Sequence, residues 1–433
     1  MKATEDTVDG DALVAANTVW MLLSHGSKLM IQAVYFVMMA RNLGPEQYGG
    51  FIAVTSIAAI VGPFVGNGAN NLMVKNVSKD HQRFHEYFGS ALLTTLISGL
   101  VLSGVVIAVC VVALPGMIPV FVILLVALSE ALLLRFVDVA MLAFQAVEKL
   151  RSTAWINVFV SLTRVAGLAT IVVLERPTLV AWSIAYAVTA VIASSVAVYY
   201  AVRELGAPRF TQGHWRQEVR EGFYFSVGLS AQTIYNDIDK SMLARWSSLD
   251  STGVYAAAYR LVDVAFVPVR ALLAATYPGF FRSGAGGIRG SLAHARRWMP
   301  RAVGYSSAVT VALVAVAPLV PYALGPQYLR STQALRWLSV LPLLKTLQYF
   351  AADTLTGAGF QGVRTLMQIG VAAFNVALNL WTIPAYGWRG AAWSSLAADA
   401  VLAATLWSSV ILLRSRHRGV DAKVPAVSPT RAT

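Results

Sequence analysis

The chain has 433 residues, 57% of them hydrophobic and only 13% charged, and its net charge is +13. A soluble domain carries nearly twice that charged fraction, because polar side chains must cover its outside. An ordinary soluble protein is therefore excluded. The positive balance is no nucleic-acid signal either, since in a membrane protein excess Lys and Arg first mark topology.

The start, Met1 to Asp11, is polar and holds four acids against one lysine, the wrong charge for a cleavable signal. Apolar runs of about 20 residues, the length that crosses bilayer hydrocarbon as a helix, then recur along the chain. They cover 15–40, 49–74, 84–112, 117–146, 152–174, 178–202, 219–244, 252–281, 300–323, 333–357, 363–385 and 389–413. A barrel would show alternating strands of about 10 residues, and these runs are longer and more evenly apolar. The expectation is an all-α integral membrane protein with about 12 transmembrane helices. Cys110 is the only cysteine, so no intramolecular disulfide can form.

The connections fall into two alternating classes. One set is rich in cations: Lys75, Lys79 and Arg83; Lys149 and Arg151; Arg203, Arg209, Arg216 and Arg220; Arg282, Arg289, Arg296, Arg297 and Arg301; Arg364; and Arg414, Arg416 and Arg418. The other holds about one per loop: Arg41, Arg176, Arg245, Arg330 and Arg389. The positive-inside rule makes the rich set cytoplasmic and places both termini there. The polar stretch 203–218 divides the runs into two sets of six. The expected organisation is a cytoplasmic segment 1–14, a six-helix bundle 15–202, a cytoplasmic linker 203–218, a second bundle 219–413 and a basic tail 414–433.

The halves carry an internal repeat. Ala40-Arg41, Gly49 and Phe51 recur as Ala244-Arg245, Gly253 and Tyr255, each 204 residues later. Pro63 and Pro268 fall one residue out of that register in the next helix. Six helices per half give both copies one orientation, the parallel-repeat arrangement of many secondary transporters.

Many charges stand inside these runs: Lys28, Glu130, Arg135, Asp138, Arg164, Asp237, Asp239, Lys240, Arg260, Asp263, Arg270, Lys345, Asp353 and Asp399. Each costs about 2.5–3.5 kcal/mol at a bilayer centre unless it is paired or wet. Polar residues also share helix faces: Asn17, Ser24, Lys28, Gln32 and Tyr35; Ser226, Ser230, Thr233, Asp237 and Lys240; and Gln368, Asn375 and Asn379. The stripes suggest a hydrophilic path between the halves. Arg135 with Asp138, Asp237 with Lys240, and Arg260 with Asp263 are three apart and could instead neutralise one another. Arg270 could pair with Asp263, and Asp239 and Lys240 could snorkel to the interface. Cations inside a membrane suit an anionic ligand such as phosphate. The carboxylates Asp237, Asp353 and Asp399 could serve ion coupling.

The segment Ala40-Arg41-Asn42-Leu43-Gly44-Pro45-Glu46-Gln47-Tyr48-Gly49 resembles the Wzx-type oligosaccharide flippases of the MOP exporter superfamily. So do Asn67-Gly68-Ala69 to Lys75, Asp237 to Lys240, Gly253 to Arg260, and Gly357-Ala358-Gly359. The resemblance implies two six-helix bundles in a MATE-like V around a cationic lumen. It implies movement of an undecaprenyl-pyrophosphate-linked oligosaccharide across the bacterial cytoplasmic membrane, beside a polysaccharide polymerase and glycosyltransferases. Lys28 sits where the family places a luminal cation on the first helix, and Arg260 and Arg270 do so on the eighth.

The substrate-binding set expected from these readings is Lys28, Gln32, Arg164, Arg260, Arg270 and Lys345. Asp237, Lys240, Asp263, Asp353 and Asp399 are expected as ion-coupling groups or structural pairs. The rivals are a MATE-like exporter of cationic drugs, a polysaccharide-assembly membrane enzyme, and a scaffold. The first needs an acidic lumen and the last needs no charged interior. With no HExxH, Walker A or GxSxG pattern and no metal-spaced Cys/His cluster, no catalytic residue, metal or cofactor is expected.

Overall fold

The computed structural model describes the backbone of residues 2–77, 80–114, 116–174, 177–209 and 215–421. Side chains are described for these residues apart from 2–30, 67–71, 75, 215–222, 224–225, 228–229, 231 and 416–421. Among the described residues every regular element is helical. In order come α1 (Lys2–Val61), α2 (Ala69–Val77), α3 (Phe84–Ala113), α4 (Val120–Leu128), α5 (Leu134–Ala146), α6 (Leu150–Val173), α7 (Leu179–Leu205) and α8 (Trp215–Trp246). They continue as α9 (Leu249–Ala265), α10 (Val267–Gly284), α11 (Ile288–Val316), α12 (Val320–Leu324), α13 (Leu329–Leu338), α14 (Leu341–Gly357), α15 (Gln361–Tyr386) and α16 (Trp388–Asp421).

Among the described residues eight helices are long and apolar enough to cross a membrane, or nine if the bent pair α9 and α10 counts as one span. The sequence reading has more runs: the side chains of 15–30 in its first run lie outside the described residues, so the first candidate begins at Ile31, and the other differences are local. The first two runs lie on α1, which Gly44 interrupts with φ 73° and ψ 172° ahead of Pro45. The run at 219–244 is α8, whose Asp237, Asp239 and Lys240 reduce its apolar character. The run at 333–357 is divided between α13 and α14.

By packing, the chain divides into two compact units. The first comprises Met1–Ala257, Leu319–Thr332 and Ile383–Ala391, and the second Ala258–Pro318, Gln333–Thr382 and Ala392–Thr433. This division follows contacts and not chain order, so it is a different partition from the two sequence halves. In the first unit, Met73, Phe88, Phe144 and Ile156 pack on Ala193, Ala197 and Ala201 of α7. Alanines four apart let that helix approach closely, as small residues do in membrane bundles. α3 turns Ile97, Leu100, Val101 and Val112 outward. Such a surface is stable only against lipid or another apolar partner. The second unit is centred on Phe266, Leu273, Phe280, Ala295, Ala302 and Phe350.

The repeat is visible in the backbone. The second helix of the first half ends at Val61, and its counterpart α9 ends at Ala265, 204 residues on. A 3-10 segment containing Pro63 follows the first, and a break at Phe266 ahead of Pro268 follows the second. Proline lacks the N–H that would continue the ladder, so both helices stop where the repeat places their prolines. Residues 206–209 run along the start of α3: the Arg209 amide donates to the His85 carbonyl at 2.8 Å, and His85 Nδ1 lies 3.1 Å from the Ala207 carbonyl oxygen. Residues 210–214 of the expected linker lie outside the described residues, as do 422–433 of the tail.

Candidate functional site

The first unit holds a polar network among apolar helices. A π-helical turn at Ser129–Leu133 joins α4 to α5 and carries Glu130. Such wide turns recur at functional positions, because they reorient side chains that a regular helix would stack. Tyr186 of α7 is fixed by aromatic neighbours, with Trp182 5.6 Å and Phe51 5.3 Å from its ring. Its hydroxyl donates to Glu130 Oε1. Arg164 of α6 donates to the same hydroxyl at 3.1 Å. Arg135 Nε donates to the Glu130 carbonyl at 3.1 Å, and Arg135 Nη1 pairs with Asp138 Oδ2 at 2.9 Å. Gly62 makes room for this guanidinium: a Cβ there would lie 3.2 Å from Arg135 Nη2.

A second cluster is on α8. Lys240 Nζ contacts Asp237 Oδ1 at 2.5 Å and donates to the Asn236 carbonyl at 3.0 Å. Asp239 accepts from the Lys240 amide at 2.8 Å and from the Tyr255 hydroxyl. Lys240 and Asp239 are both buried and held by these neighbours. The α8 stripe is also only partly available to a cavity, for Ser230 donates to the Ile60 carbonyl on α1 at 2.9 Å.

In the second unit Arg270 Nη2 reaches Asp263 Oδ1 and the Asp263 carbonyl, each at 3.0 Å, with half of the Arg270 side chain exposed. The pair spans the 46° bend between α9 and α10. Lys345, only 6% exposed, donates to the Tyr259 hydroxyl at 2.7 Å, with its ammonium 4.8 Å from the ring centre. A cation on a phenol gains from the ring quadrupole and from the hydroxyl dipole. Asp353 pairs with Arg364 at 3.5 Å, and Arg364 donates to Thr356 Oγ1 at 3.0 Å. Asp399 accepts from Gln348 at 3.4 Å, and Asn379 donates to Asn375 Oδ1 at 2.9 Å. No group of three or more His, Cys, Asp or Glu able to hold a metal is found among the described residues.

The expected site residues thus separate into several groups. The Lys28 side chain, with Asn17 and Ser24, lies outside the described residues. Gln32 and Arg260 are half-buried. Arg270 joins Asp263, Lys240 joins Asp237, and Asp353 joins an arginine read from sequence only as a loop marker. Sequence reasoning missed Tyr186, Tyr255 and Tyr259. Each sits on another helix from its charged partner, so no spacing along the chain reveals the contact.

Span-length apolar helices, a repeated pair of proline-terminated helices and charges held within the helical layers define a polytopic α-helical membrane protein. An inward-facing multidrug resistance MATE family transporter of the MOP superfamily has the same fold, with TM-score 0.76 at 15% identity over 91% of this chain and 96% of that one. Lipid II flippase MurJ in an inward closed conformation gives 0.68 at 12% identity, covering 92% and 87%. A MOP superfamily transporter from Pyrococcus furiosus Vc1 (DSM3638), whose binding pocket is described as reversed in polarity, gives 0.64 at 15% identity, covering 94% and 96%. The chain belongs to the polysaccharide biosynthesis protein family, whose model matches residues 14–283. No curated protein matches the sequence.

Proposed function

We propose that this transporter is a flippase that carries a polyprenyl-pyrophosphate-linked oligosaccharide across the bacterial cytoplasmic membrane by alternating access. The observation that carries the reading is one conjunction: a polysaccharide-biosynthesis family chain has a transporter fold. A protein that serves polysaccharide assembly by transport has a sugar intermediate to move, and MurJ, of similar fold, is a lipid II flippase. The chemistry of the interior supports it. Arg164 and Lys345 place cationic hydrogen-bond donors at tyrosine hydroxyls among the helices, and such cations suit phosphate. Buried Asn and Gln supply the donors and acceptors that sugar hydroxyls need.

In this reading Lys28, Gln32, Arg164, Arg260, Arg270 and Lys345 serve the substrate. Asp237, Lys240, Asp263, Asp353 and Asp399 serve ion coupling or hold structure. The halves 15–202 and 219–413 rock against one another, both termini are cytoplasmic, and a polymerase and glycosyltransferases act beside the flippase.

The test is a strain lacking this chain. Lipid-linked oligosaccharide should build up on the inner leaflet, and the wild-type chain should clear it. An unchanged carrier pool, with the same leaflet distribution, overturns the reading.

A further inference from the structure

The helix α11 and its short continuation form a run from Ile288 to Leu324 of 37 residues. At about 1.5 Å per residue this is roughly 55 Å, well beyond the ~30 Å of bilayer hydrocarbon. The apolar part from Ala302 onward already spans that thickness, so the arm from Ile288 to Arg301 stands outside it. The arm is fixed along one face. Ser291 donates to the Thr354 carbonyl at 2.8 Å, His294 Nε2 lies 3.1 Å from the Thr276 carbonyl oxygen, and Ala295 is in the unit's core.

The exposed side of the arm carries Arg296, Arg297 and Arg301. The sequence has no acidic residue between Asp263 and Asp353, so no acid along α10 or α11 offsets these charges. Arg297 and Arg301 flank Trp298, with their guanidinium carbons 5.8 Å and 5.3 Å from its ring. The Arg301 guanidinium also donates to the Arg297 carbonyl at 3.2 Å. A tryptophan between cations at the end of an apolar span is the composition of a headgroup layer. Below the arginines the same helix face continues as Gly304, Ala308 and Val311, at intervals of three, four and three residues, and all are exposed. A Cβ at Gly304 would meet nothing within 4 Å. These residues leave an exposed apolar helix face directly under the charges.

We propose that Arg297 and Arg301, flanking Trp298, bind the phosphate of an anionic glycerophospholipid, one of whose acyl chains lies along Gly304, Ala308 and Val311. Arg presents a fork that matches phosphate oxygens, and the rigid arm holds two forks at headgroup height without ordering a loop. Nothing in this assignment depends on the flippase reading.

Native mass spectrometry of the full-length protein, offered phosphatidylglycerol, phosphatidylcholine or undecaprenyl pyrophosphate, tests it. The wild type should retain phosphatidylglycerol preferentially, and affinity should fall roughly fivefold for each of Arg297→Gln and Arg301→Gln. Gly304→Leu should obstruct that face and weaken phosphatidylglycerol retention while leaving the melting temperature unchanged. Equal retention of the two lipids by the wild type, or no change in the double arginine variant, overturns the proposal. So does a double variant that loses undecaprenyl pyrophosphate and keeps phosphatidylglycerol, which assigns the arginines to the carrier lipid instead.

Discussion

Gly49 and Gly253 lie 204 residues apart in sequence and are pressed against each other's helices in the fold. A Cβ on Gly49 would stand 1.8 Å from the Leu249 carbonyl oxygen, and one on Gly253 would stand 1.8 Å from that of Pro45. Leu249 and Pro45 are themselves 204 apart. Each glycine therefore receives the carbonyl of the residue that precedes its counterpart by four, the pattern of two copies related by a local twofold. Backbone approach this close is open only to residues without a side chain, and it brings Cα–H groups onto carbonyl oxygens.

Gly49→Ala and Gly253→Ala should each destabilise the protein by about 1–3 kcal/mol, because the atoms that must move are backbone. Gly104→Ala is the control: its Cβ meets nothing within 4 Å, and alanine favours a helix by up to ~1 kcal/mol. Thermal unfolding in detergent should lower the midpoint for the first two variants and leave or raise it for the third.

Tyr186→Phe should lower stability by about 1–3 kcal/mol, since it removes the hydroxyl shared by Glu130 and Arg164 inside an apolar layer. Tyr199, 66% exposed on the same helix, is the comparison. Tyr199→Phe should leave the unfolding midpoint within experimental error.

Lys240 and Asp237 should behave as one unit. Asp237→Asn should cost about 1–3 kcal/mol, because the ammonium loses its nearest carboxylate but keeps Asp239 at 4.0 Å and the Asn236 carbonyl at 3.0 Å. Adding Lys240→Met should recover part of that loss. A double-mutant cycle on reversible unfolding in mixed micelles reads the coupling, and strict additivity would remove the pair from the stability account.

Lys28→Ala, Arg270→Ala and Lys345→Met address transport. Arg270 is half-exposed, so its ion pair should contribute less than ~1 kcal/mol to stability. Polysaccharide export should nevertheless fall in each variant, at normal protein level in the membrane. Full export in all three would remove these cations from the substrate path.

The membrane class, the boundaries of several spans and the 204-residue repeat are decided by the sequence alone, because bilayer thickness and the missing proline N–H act on short stretches of chain. Gly44, Pro63 and Pro268 interrupt helices through their own backbone chemistry, whatever surrounds them. The partners of the interior charges depend on which helices become neighbours, and only the tertiary structure settles that. The pair Lys240–Asp237 is local and could be read from a three-residue spacing. Arg164 meets Tyr186 from another helix, Lys345 reaches back 86 residues to Tyr259, and Arg270 pairs with Asp263 across a bend. A hydrogen bond acts over about 3 Å, so contacts between helices leave no periodic trace in either one.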